Sequence, residues 1–318
     1  MYKPLALILF FLFFLSACEQ PVTTGNINKV GLLVPDTIND QVWGSKGYKG
    51  MLKIQSEFNV DTFYKEGIDS EQAVIQAVEE FHSKGVNLLF GHGSEYAEYF
   101  NEIAKEYPDI QFICFNGDAR EDNVTSLNFQ ANAMGFFGGM VAGEMTKTNK
   151  VGVIGAFEWQ PEIDGFFEGV LYQNNEADVK INYVQDWNDT DTALKLLDKL
   201  IDDGVDVVYP AGDGYNISVI EKVKENGLYV IGYVSDQSDL GQATVLTSTV
   251  QHVDKLYELV AKQYNTGKLE SGNLYFDFQD DVISMGKFSP LVDEDFQKEI
   301  DAYIQQYRKT GKLPNQIQ

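Results

Sequence analysis

The side chains able to do chemistry are few in this chain and poorly spaced for it. Its three histidines, His82, His92 and His252, are too scattered to assemble a metal site. Asp186-Trp-Asn-Asp-Thr-Asp191 has the acidic density of a calcium loop but lacks the turn glycine and the distal bidentate Glu that such a loop needs. Asp189 or Thr190 suits another task, accepting an orphan amide hydrogen at the start of a helix over 193–200. Gly91-His-Gly-Ser-Glu-Tyr96 lacks the third glycine of a dinucleotide fingerprint, and no nucleophile-elbow pattern surrounds the serines. Neither catalysis nor a bound metal or cofactor is supported. A protein that binds without converting is the expectation.

What must position any site is a repeat. Gly85-Val-Asn-Leu-Leu-Phe-Gly-His-Gly-Ser-Glu-Tyr96 is answered by Gly204-Val-Asp-Val-Val-Tyr-Pro-Ala-Gly-Asp-Gly-Tyr215. Asn28 to Val34 is answered by Asn149 to Gly155, and Val124 to Gln130 by Val245 to Gln251, all at an offset of about 120 residues. A unit of that length is a whole α/β lobe rather than a solenoid repeat. Strands are expected at 30–34, 60–64, 86–90, 110–115 and 124–129, then at 151–154, 181–184, 205–209, 229–234 and 245–249. Amphipathic stretches at 71–81, 96–107, 193–200 and 296–307 read as helices. Such alternation predicts two similar Rossmann-like lobes with parallel sheets, facing each other across a cleft. Ligands of open α/β sheets bind where strands end, so the cleft is the place to look. The small-residue stretch 131–145 joins the lobes and is expected to pack closely against both, since glycines let backbones approach.

Composition narrows the partners and the compartment. Of 318 residues, 24 are Lys or Arg and 48 are Asp or Glu, a net charge of −24. Nucleic-acid affinity comes largely from cationic side chains displacing counterions, so direct nucleic-acid binding is not expected. Lys3 followed by the apolar run 4–17 is too short for a comfortable membrane span and suits a signal-peptide core. It ends in Leu15-Ser-Ala-Cys18, which resembles a bacterial lipobox: the signal is expected to be removed and Cys18 to carry the lipid. Cys114, inside an apolar strand, then has no partner in the chain and reads as a buried small hydrophobe.

Asp36 to Gly50, Met145 to Gly155, Gly204 to Tyr209, Ile231 to Gln237 and Thr247 to Gln251 together resemble the basic membrane protein (BMP) family of substrate-binding lipoproteins, including its nucleoside-binding members. The resemblance runs from the lipobox to the C-terminus. It implies a type I periplasmic-binding-protein-like fold with residues 1–17 as signal peptide and 18–28 as lipidated cysteine and tether. Residues 29–130 with about 250–275 would form the N-terminal lobe, and 131–249 with about 276–318 the C-terminal lobe. It further implies an extracellular, lipid-anchored protein of the cell membrane that binds a purine nucleoside or related solute, with an ABC transporter permease or another membrane partner. Its closest likeness is to family members that act as positive regulators of competence. Two alternatives follow: a DNA-binding activator of the competence regulator, or a subunit for nucleoside import alone.

By the same resemblance Trp43 and Trp187 would stack on the base, and Asp36 and Asp236 would hold the ribose hydroxyls. Asp40, Asn116, Gly212 and Gln251 complete the implied ligand set. Stacking a base on an aromatic face contributes about 1–3 kcal/mol, and a diol offers two donors to a carboxylate. The chain departs from the family pattern at Gly44, Asn116, Val234 and Gln251, which stand for Asn, Asp, Asp and Lys. An Asp-to-Asn change replaces a pure acceptor with a group that also donates, and the absent Lys removes a point charge from the sugar end.

Overall fold

The computed structural model describes residues 25–39 and 43–317. The expected signal peptide, Cys18 and Asp40 lie outside the described residues. In chain order the elements are β1 (Lys29–Leu33), α1 (Trp43–Phe58), β2 (Asp61–Lys65), α2 (Glu71–Ser83), β3 (Leu88–Gly91), α3 (Tyr96–Ile103), β4 (Gln111–Phe115), β5 (Val124–Phe129) and α4 (Asn132–Met145). They continue with β6 (Lys150–Gly155), α5 (Pro161–Gln173), β7 (Asp178–Tyr183), α6 (Thr190–Asp202), β8 (Val207–Ala211), α7 (Asn216–Glu225), β9 (Tyr229–Gly232) and β10 (Val245–Gln251). Finally come α8 (Val253–Asn265), β11 (Gly272–Phe276), β12 (Ile283–Met285) and α9 (Glu294–Thr310).

Two six-stranded sheets result, ordered β11-β5-β4-β3-β1-β2 and β12-β10-β9-β8-β6-β7. Every pairing is parallel except β10 with β12. Central strands such as β3, β4 and β8 are buried throughout, as helices on both faces of a parallel sheet require. All ten expected strands are present, with ends shifted by a few residues. The sixth strand of each sheet, β11 and β12, comes from the late segment 272–285 and was not expected. The chain passes from the first sheet to the second after β5, returns after β10 to lay α8 on α1 and add β11, then crosses again into β12.

The glycine-rich stretch differs from expectation. It forms α4, whose principal packing is with α5 and with β8, β9, β10 and β12, all of the second lobe. A Cβ at Gly135, Gly139 or Gly143 would press into α5 backbone, and one at Gly165 or Gly169 would press back into α4. Two helix backbones in mutual contact leave no face of α4 for an equal seat on the first lobe. Asp189 caps α6 as foreseen, its carboxylate accepting from the Thr192 amide at 3.0 Å and hydroxyl at 2.6 Å. Cys114 is buried, and burial pushes its thiol up to about 12, away from reactivity.

Candidate functional site

A cavity of about 840 Å³ lies between the lobes, reached by the C-terminal ends of strands from both sheets and the turns that follow them. Trp43, at the first position of α1, lines it and is held from behind. Its ring stacks on His92 with centroids 4.5 Å apart and planes 13° apart, while Phe115 meets both rings edge-on. Trp43 Nε1 donates to the His92 carbonyl at 3.2 Å, and His92 Nε2 donates to the Trp43 carbonyl at 2.8 Å. A carbonyl only accepts, so Nε2 carries the hydrogen and Nδ1 accepts from the Tyr257 hydroxyl at 3.0 Å. Burial lowers the His92 pKa to about 4, and the ring is neutral at physiological pH. His92 lines the cavity as well. It is buried and serves as the backing of Trp43.

The second lobe presents its aromatics differently. Trp159 and Trp187 line the cavity with centroids 5.7 Å apart and planes 70° apart, and Phe157 stacks on Trp159. Trp159 is 57% exposed, an unusual state for so large an apolar ring. The loop carrying it is pinned by Gln160, whose Oε1 accepts from the Ala156 and Phe157 amides at 2.7 and 2.8 Å. Gln160 Nε2 in turn donates to Glu162 Oε1 at 2.9 Å, and the Tyr233 hydroxyl donates to the same oxygen at 3.0 Å. Glu162 is buried on the cavity wall, and burial raises its pKa. Glu95, across the cavity, is also raised, first by burial and then by the nearby Asp36.

At equivalent strand ends Asn116 and Val234 both adopt positive φ, 52° and 61°. Asn116 Oδ1 accepts from the Phe129 amide at 3.2 Å, which leaves Nδ2 to donate into the cavity. The carbonyls of Val234 and Gln251 accept from Lys46 Nζ, at 2.8 and 2.6 Å, reaching over from α1 of the other lobe. Burial depresses the Lys46 ammonium to about 8. A second bridge joins Asn188 Nδ2 to Asp36 Oδ2 at 3.4 Å.

Of the residues implied by resemblance, Asp36, Trp43, Asn116, Trp187 and Gln251 line the cavity. Gly212 and Asp236 do not. Gly212 belongs to the turn before α7, where its carbonyl accepts from Asn216 Nδ2, and Asp236 accepts from the Ser238 amide in a turn after β9. A carboxylate following a strand end has a local use, and that use prevails at Asp236. Missed in the sequence were Trp159, Glu162, Glu95 and Lys46. The repeat held a signal for one of them, since Glu162 lies in the first turn of α5, the helix after the first strand of its lobe, as Trp43 lies in the first turn of α1. Among the described residues no group of side chains could hold a metal ion, and no helix is long and apolar enough to cross a membrane.

The family described as "ABC transporter substrate-binding protein PnrA-like" matches residues 27–317. The chain is 57% identical to the transcriptional activator protein med of Bacillus subtilis, over 99% of both chains. A crystal structure of a transcriptional activator of the comK gene from Bacillus halodurans superposes with a TM-score of 0.85 at 50% identity, over 90% of this chain and 100% of that one. A solute-binding protein of an ABC transporter system from Conexibacter woesei matches at a TM-score of 0.73 and 20% identity, over 92% of this chain and 100% of that one, and shares the fold.

Proposed function

The chain belongs to the PnrA-like family of ABC transporter substrate-binding proteins, and from that premise we propose that it is a lipid-anchored extracellular receptor for a purine-type nucleoside or similar planar solute. The observation that carries this reading is that Trp43 and Trp187, from opposite lobes, open onto one cavity. A flat ring between them gains stacking from both sides. Asn116 would donate through Nδ2 to an acceptor on the base, where an Asp would have accepted. Asp36, at the cavity rim, would accept from ribose hydroxyls in place of its present Asn188 partner. Lobes split as 29–130 with about 250–275 and 131–249 with about 276–318 follow the three places where the chain changes sheets. Calorimetry against a nucleoside panel tests the reading, with Trp43→Ala and Trp187→Ala each expected to lose about 1–3 kcal/mol. Silence across the panel, or unchanged affinity in both variants, would overturn it.

The Bacillus subtilis relative is named as a transcriptional activator, and we place the role in competence that the family resemblance implies downstream of solute binding: the lobes close, and a membrane partner carries the signal or the solute inward. That same name favours a second reading, direct promoter binding. A net charge of −24 opposes it. Gel-shift measurements at about 150 mM salt should show no retention of promoter DNA, because charge-driven binding falls steeply with ionic strength. Sequence-specific retention under those conditions would favour the second reading.

A further inference from the structure

The charges around the cavity are one-sided. Asp36, Glu95, Glu162 and Asp213 line it, and among the described residues no Lys or Arg does. Lys46, engaged by the Val234 and Gln251 carbonyls, bears electrostatically on Asp213 rather than on Glu162. Glu162 is the most telling of the four: it is 4% exposed, and its hydrogen-bond partners there, Gln160 and Tyr233, are neutral. A desolvated carboxylate without a counter-ion is costly unless something positive joins it. The aromatic walls beside it suit the same visitor. Trp159 and Trp187 meet at 70°, with Phe157 stacked behind Trp159, and the negative faces of such rings attract a cation that has shed its water.

Resting on the nucleoside-type reading of this cavity, we propose that it selects nucleosides whose planar base carries a positive charge, with Glu162 as the counter-charge, Trp43 and Trp187 as the stacking walls and Trp159 as a further aromatic contact for the cation. A neutral nucleoside would stack equally well yet leave Glu162 without a counter-charge. A methylated or pyridinium-type base supplies the charge and keeps the flat ring.

Three probes separate the parts of the proposal in calorimetry at about pH 7: 1-methyladenosine, cationic there; adenosine, its neutral parent; and 1-methylnicotinamide, a planar cation without ribose. The cationic nucleoside should bind about tenfold more tightly than adenosine, within the range cation–π and ion-pair contacts supply. Glu162→Gln should erase most of that preference, weakening 1-methyladenosine about tenfold and adenosine far less; Trp159→Leu, at an exposed position, should weaken the cation about threefold or more without loss of fold. Adenosine binding as tightly as 1-methyladenosine would overturn charge selection and leave the nucleoside reading standing. Tight binding of 1-methylnicotinamide equal to that of the riboside would support charge selection and remove ribose from the reading. Equal losses of both nucleosides in Glu162→Gln would make Glu162 a structural residue and overturn its assignment. Silence to all three probes overturns both readings.

Discussion

The two lobes build the same cavity from one repeated plan and finish it in opposite ways. In the first, the residue that opens the helix after the leading strand is Trp43, clamped against a buried neutral imidazole. In the second, the first turn of the corresponding helix carries Glu162, a buried carboxyl, while the aromatics sit in loops, Trp159 before α5 and Trp187 after β7, and lie partly in solvent. The first wall is rigid before any ligand arrives. The second holds unmet charge and exposed ring, two features that a folded protein tolerates where they serve binding. Asymmetry within a repeat therefore marks where specificity resides more sharply than the repeat itself does.

That contrast can be tested by stability measurements on the empty protein. Removing the charge at Glu162 is the largest expected effect: Glu162→Gln should stabilise by about 1–3 kcal/mol at neutral pH, because the amide accepts the same hydrogen bonds without a desolvated charge. Since the folded pKa of Glu162 lies above its unfolded value, the penalty is absent below the unfolded pKa and fully present above the folded one. The gain should therefore shrink as thermal melts are repeated at lower pH, and a gain independent of pH would break the comparison. The strand ends offer a smaller pair of tests. Asn116→Val puts a β-branched residue at positive φ and removes the acceptor for Phe129, so denaturant midpoints should report a loss of about 1–3 kcal/mol. Val234→Asn reverses the substitution at the equivalent place and should gain about 1 kcal/mol. If the two shifts had the same sign, the equivalence of these strand ends would fail.

How much of this was legible in the sequence divides along the same line. Of the ten strands of the repeat, β2 and β7 are partly exposed sheet edges, and the other eight are almost wholly buried apolar runs; such runs announce themselves. β11 and β12 do not: β11 alternates buried with exposed, its Tyr275 largely in solvent, and β12 has three residues. Their positions are set by partners over a hundred residues away in sequence, β5 for β11, or by the crossing that precedes them. In the site, Trp43 and Trp187 were found through family likeness. Trp159 and Glu162 were not, because a tryptophan in a loop and an acid in the first turn of a helix are ordinary locally, the second being favoured there by the helix dipole alone. Asp236 shows the opposite error, a residue of the right type at the right strand end whose side chain serves its own turn.

The three sheet-to-sheet crossings have a mechanical meaning. Three covalent strands joining two bodies resist twist and slide, because either would stretch all of them together, and leave opening and shutting as the easy motion. Asp36 and Asn188 meet across the lips of that motion, 3.4 Å apart, while Lys46 reaches between the lobes beside Val234 and Gln251. On the proposed reading, occupancy of the cavity would be translated into a single outward quantity, the gape of the mouth, and a membrane partner would need only to gauge that gap.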